Sequence, residues 1–96
     1  MPEKKITKIG LIRGGHEIPG VSEYIFENDI QDVTDLQDIA KIVMNKLADC
    51  KDIYLYVTGL TVALVEVIKY CQRNCVGLTL WHYNSATGDY YPQEVL

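Results

Sequence analysis

Three short segments of this sequence carry residues whose types and spacing suit chemistry on a small anion: Arg13-Gly14-Gly15-His16, Thr58-Gly59-Leu60-Thr61 and His82-Tyr83-Asn84. In the first, Gly14 and Gly15 lack a Cβ and let the backbone approach a ligand closely. Arg13 offers a planar fork of N–H donors that matches a phosphate. His16 is the group here able to move a proton near neutral pH. A plain turn with an exposed histidine accounts for the same residues. The segment matches neither GxGxxG nor the P-loop pattern, which argues against ordinary dinucleotide or triphosphate binding.

The second segment is the stronger. Thr58 and Thr61 flank Gly59 and Leu60 between an apolar run and an apolar helix, so two hydroxyls and the free N–H groups of a helix start can form an anion cradle. The competing reading is that one threonine merely caps the helix. Capping alone explains Gly59 less well, so the cradle is favoured. His82 is ambiguous between a functional group and a satisfied histidine at the core edge. Tyr83, Tyr90 and Tyr91 can stack on a base, although aromatic residues in a hairpin usually pack across strands. No paired-carboxylate site and no Ser/His/Asp or Cys/His arrangement follows from the spacing. Cys71 and Cys75 are spaced to share a helical face, but no second pair and no nearby histidine completes a zinc site, so no metal is expected. Buried or half-buried thiols in a reducing compartment explain Cys50, Cys71 and Cys75.

These segments need elements to position them. Ile6–Ile12 is a short apolar run before a tight turn and predicts a first strand. Glu23–Glu27 is β-prone with charged ends, as suits a short or edge strand. Thr34-Asp-Leu-Gln37 has capping-box spacing, with Thr34 as N-cap. Leu36, Ile39, Ala40, Val43, Leu47 and Cys50 then recur at helical steps as a core-facing stripe, with Asp35, Asp38, Lys41, Asn45 and Asp49 on the wet side. Ile53–Val57 is a continuous apolar run, as in strands covered on both faces of a parallel sheet. A second, deeply packed helix spans about Val62 to Asn74, with Glu66, Lys69, Tyr70 and Arg73 as its polar face. Leu78–Tyr83 is the last core strand, with Leu78, Leu80 and His82 on one face and Thr79, Trp81 and Tyr83 on the other. Tyr90–Val95 returns as a hairpin, and Pro92 puts it on an edge. The order β-(β)-α-β-α-β-β predicts an α/β fold, a small Rossmann-like, mostly parallel sheet with two main helices and a C-terminal β-hairpin. Ligands of such sheets bind beyond the carboxyl ends of the strands, where all three segments would meet.

The 96 residues give room for one domain, 1–96, which buries only a little over ~60% of its unfolded surface. Small α/β domains often complete their cores by pairing, so a homodimer is expected. The composition, 48% apolar and 23% charged, is that of a globular chain. With 13 acids against 9 bases the net charge is -4, and the bases are scattered apart from Lys4, Lys5 and Lys8, best read as a solvated terminus. Duplex nucleic acid, which needs a clustered basic face, is therefore not an expected partner. No apolar run approaches the ~20 residues that span a bilayer, and no secretory leader is read, so the expectation is a cytoplasmic protein with no membrane partner.

Tyr54-Leu-Tyr-Val-Thr-Gly-Leu-Thr-Val-Ala-Leu64, a helix, and then Leu78-Thr-Leu-Trp-His-Tyr83 resemble the later half of CRISPR-associated Rossmann-fold sensor domains. With the short length and the Arg13–His16 turn, the chain is more similar still to stand-alone, single-domain CRISPR-associated ring nucleases. The likeness covers most of the chain in layout and about a dozen positions in residue type. The resemblance implies antiviral defence and a small cyclic nucleotide ligand, a cyclic oligoadenylate, bound by a dimer across its twofold axis. It implies cleavage without metal or cofactor, by attack of a ribose 2′-hydroxyl on the neighbouring phosphate. On this chain Thr58, Gly59 and Thr61 would hold phosphate, Arg13 would offset charge, and His16 would be the acid or base. One departure is that Leu60 stands where many sensor domains carry a lysine. A non-catalytic nucleotide sensor or sponge, and an oligomerising scaffold without ligand, are the alternatives.

Overall fold

A computed structural model describes residues 6–13, 18–28 and 30–96. Its elements are β1 (Ile6–Ile12), β2 (Tyr24–Phe26), α1 (Leu36–Leu47), β3 (Asp52–Tyr56), α2 (Thr61–Arg73), β4 (Gly77–Asn84) and β5 (Asp89–Glu94). They form the expected α/β fold, a five-stranded sheet in the order β2-β1-β3-β4-β5. β1 pairs in parallel with β2 and β3, β3 pairs in parallel with β4, and β5 closes the sheet as an antiparallel hairpin. β2 and the Pro92-bearing β5 are the two edges.

The chain leaves β2 through α1 to β3, and β3 through α2 to β4, both times stepping the same way across the sheet. Right-handed crossovers then put both helices on one face. The core confirms this: Ile39, Val43 and Leu47 of α1 and Ala63, Val67 and Cys71 of α2 pack on Ile9, Leu11, Ile53, Leu55, Leu78 and Leu80. The molecule measures only 21 Å along its shortest axis, enough for one sheet and one layer of helices.

Ile53–Val57 is therefore not covered on both faces. Ile53 and Leu55 are buried beneath the helices, while Tyr54 and Tyr56 are half-buried on the opposite side. Toward β2 that opposite side is occupied by Tyr24, whose ring lies where a Cβ on Gly10 would stand. Ile18 is buried beside it, and its N–H donates to the Tyr24 hydroxyl at 3.4 Å.

Four local expectations differ from the structure. The N-cap of α1 is Asp35, whose side chain accepts from the Asp38 N–H at 3.1 Å. Thr34 cannot cap because its hydroxyl and N–H both donate to Asp32, at 2.6 and 3.0 Å. Leu36, in the first turn, is 48% exposed rather than in the core stripe. On α2, Glu66 is buried and accepts from Lys69 at 3.3 Å, whereas Val65 is exposed, so the polar face is narrower than the sequence suggests. Cys71 and Cys75 do not share a face. Cys71 is buried in the core, which pushes its thiol up to about 11, and Cys75 follows the helix in a left-handed conformation (φ 56°).

Candidate functional site at the strand crossover

The sequence steps from β1 outward to β2, then back across β1 to β3. The carboxyl ends of β1 and β3 thus flank the point where the winding direction reverses, the place where open α/β sheets form a ligand crevice. Arg13 continues β1 at this point, and Thr58-Gly59-Leu60-Thr61 follows β3. Arg13 and the Thr58–Thr61 segment meet there.

Thr58 joins the two strand ends. Its hydroxyl accepts from the Ile12 N–H at 3.1 Å and donates to the Ile12 carbonyl at 2.7 Å. One side chain thereby satisfies both backbone groups of the last β1 residue, which lies beyond the β1–β3 ladder. Gly59 follows at φ +85°, and a Cβ there would come within 2.6 Å of Ile12 Cδ1. The turn requires glycine for its own backbone and for its packing on Ile12.

Leu60 is the N-cap of α2, in extended conformation, and no side chain caps the helix. Neither threonine does so: Thr58 is engaged with Ile12, and Thr61 is the first helical residue, exposed at the rim. The first intrahelical bond runs from the Leu64 N–H to the Leu60 carbonyl at 3.3 Å. The N–H groups of the preceding helical residues have no acceptor within the helix and carry its positive dipole end. The carboxyl end of β3 thus offers an uncapped helix start, the Thr61 hydroxyl and a glycine turn.

Arg13 is turned toward β2. Its Nε lies 2.7 Å from Glu27 Oε2, its guanidinium sits 4.5 Å from the centre of the Tyr24 ring, and its N–H donates to the Phe26 carbonyl at 2.9 Å. The bond from Arg13 holds the Glu27 carboxyl below the usual carboxylate range. No spacing rule would have found Glu27 as this partner, since the pair forms only when β1 and β2 align side by side.

The third segment shares the rim but serves the β4–β5 hairpin. His82 Nε2 lies 2.8 Å from Gln93 Oε1, and its ring packs on Tyr91. Tyr83 meets Tyr90 edge to face. Asn84 shapes the turn, its side chain accepting from the Ala86 N–H at 3.0 Å and its carbonyl from the Gly88 N–H at 2.7 Å. Gly14, Gly15 and His16 lie outside the described residues. Among the described residues no group of His, Cys, Asp or Glu is placed to hold a metal ion, and no helix is long and apolar enough to cross a membrane.

A second feature was not anticipated from the sequence. On the sheet face away from the helices, Tyr56 stacks on Trp81 (5.8 Å between centres), Tyr54 tilts against Trp81 (5.5 Å) and Tyr90 meets Tyr56 edge-on (5.3 Å). Burial raises the Tyr56 and Tyr90 hydroxyls above their ordinary range. The signal was present: aromatics at alternate positions, 54 and 56 in one strand and 81 and 83 in the next, must share a face.

Comparison of the chain with protein-family models, with curated proteins and with solved structures gives no match.

Proposed function

We propose that this protein binds a small anionic nucleotide in the crevice between the ends of β1 and β3. The observation that supports this is the location of the Thr58–Thr61 turn and of Arg13 on either side of the winding reversal, with an uncapped helix start beside them. Backbone N–H groups and a hydroxyl suit phosphate without demanding a basic chain, in keeping with a net charge of -4.

The resemblance to CRISPR-associated ring nucleases makes the ligand a cyclic oligoadenylate, held by a cytoplasmic homodimer. In the cleavage step a ribose 2′-oxygen forms a bond to the adjacent phosphorus and the bond to the 5′-oxygen breaks. The products are a 2′,3′-cyclic phosphate and a 5′-hydroxyl. The proton leaves the 2′-oxygen for a base, and the 5′-oxygen takes one from an acid; His16 is the candidate for either role. The α2 N-terminus and Thr61 stabilise charge on the phosphorane, and Arg13 adds to this if it exchanges Glu27 for phosphate.

Binding without turnover is the second reading. It is favoured by the engagement of Arg13 with Glu27 and of Thr58 with Ile12, which leaves His16 as the main chemical candidate. Incubation with cyclic tri-, tetra- and hexa-adenylate in EDTA, with products followed by chromatography, separates the two. Cleavage under chelation that is lost in His16→Ala with affinity retained supports the nuclease. Binding without products supports the sensor, and a protein that neither binds nor cleaves any of the three contradicts both.

A further inference from the structure

Parallel sheets are ordinarily covered on both faces. Here the helices cover one face, and beyond Tyr24 the other presents half-buried Tyr54, Tyr56, Trp81 and Tyr90 and the exposed Tyr83. Trp81 Nε1 is buried among these rings with no hydrogen-bond partner among the described residues. We propose that this open face is closed by the same face of a second copy of the chain, related by a twofold axis running parallel to the strands.

The charges around the rings select both the partner and the axis. Register places Lys8, Tyr54, Thr79 and Glu94 in one row across β1, β3, β4 and β5 on the open face. A cation thus ends the row on one side and a carboxylate on the other, at the same height along the strands. A twofold axis along the strands, passing between β3 and β4, reverses the row without changing its height. It sets Lys8 against Glu94 twice and Tyr56 against Trp81 of the other copy at the centre. An axis across the strands would move Lys8 to the other end of the sheet and leave both charges unmatched.

The dimensions agree. Strands about 4.8 Å apart and residues about 3.3 Å apart give a face about 20 Å across and 20 Å long. With the relief of standing aromatic side chains, its accessible area is of the order of the roughly 800 Å² per partner in a standard interface. A nucleic-acid strand is a poorer occupant, since Lys8 is the single cation in the row and two acids, Asp52 and Glu94, share the face. Because an axis along the strands preserves their direction, both β1/β3 crevices open at the same end of the dimer. Their joint use by one twofold-symmetric ligand rests on the function proposed above; the dimer itself does not.

The test uses the full chain without ligand. Sedimentation should show a dimer, and Tyr54→Arg should yield a folded monomer by circular dichroism. Lys8→Glu should weaken the dimer at least tenfold, and Lys8→Glu combined with Glu94→Lys should restore it. Within one chain Lys8 and Glu94 stand about 14 Å apart across three strand spacings, too far for direct coupling. Carbodiimide treatment of mixed light and heavy-isotope copies should therefore give a Lys8–Glu94 link of mixed isotope. A chain that is monomeric at every concentration overturns the proposal. So does a dimer that survives Tyr54→Arg and yields no mixed Lys8–Glu94 link.

Discussion

The hydroxyl of Thr58 closes a two-way hydrogen bond with the backbone of Ile12, accepting from its N–H at 3.1 Å and donating to its carbonyl at 2.7 Å. The contact joins residues 46 apart in sequence and fixes the spacing of the β1 and β3 ends at the winding reversal. Thr58→Val keeps the shape and deletes both bonds, leaving two part-buried backbone groups unmet. A loss of about 1–3 kcal/mol in urea unfolding is expected, with Thr58→Ser close to the parent. An unchanged midpoint in Thr58→Val would show that the link contributes nothing.

Gly59 occupies a left-handed conformation directly against Ile12. Gly59→Ala should cost about 1–2 kcal/mol from the backbone alone. Because Ile12 must also shift, nucleotide affinity should fall further than stability does. Thermal unfolding with and without ligand measures both, and equal affinity in the variant would detach the turn from the site.

Arg13 depresses the Glu27 carboxyl, so their pairing stabilises the fold above the unfolded-state value of 4.5 and is lost as pH falls through the lower folded value. A carbon-detected titration should place the Glu27 midpoint below 4.5 in the parent and return it toward 4.5 in Arg13→Gln. The same midpoint in both proteins would refute the pairing in solution. Both groups are solvent-exposed, so the effect on overall stability should be small and should shrink with salt.

Cys75 follows the C-cap of α2 at φ 56°, where the Val76 N–H donates to the Cys71 carbonyl at 2.9 Å in a helix-terminating motif that favours glycine. Cys75→Gly should raise stability by about 0.5–1 kcal/mol, after allowance for the greater freedom of glycine in the unfolded chain. A lower melting temperature in this variant would contradict the assigned backbone.

The order of elements was legible because each has its own period: continuous apolar runs for the central strands, a three-to-four stripe in α1, and Pro92 marking an edge. What was not legible depends on contacts between distant segments. Thr34 has the chemistry of a cap, but Asp32 binds it first, so Asp35 takes the role. Thr58 and Gly59 have the chemistry of a ligand cradle, yet both have structural work against Ile12, whose position only the sheet reveals. The run Ile53–Val57 reads as buried on both faces because tyrosine counts as apolar. Only the common direction of the two crossovers leaves Tyr54 and Tyr56 uncovered.

The central claim, a nucleotide in the β1/β3 crevice, is tested most directly by amide chemical-shift mapping of the labelled protein during titration with cyclic tetra-adenylate. The largest shifts are expected at Ile12, Gly59, Thr61, Val62 and Ala63, with β5 and the outer face of α1 little changed. An absence of shifts at saturating ligand, or shifts centred away from Ile12 and Gly59, would contradict it.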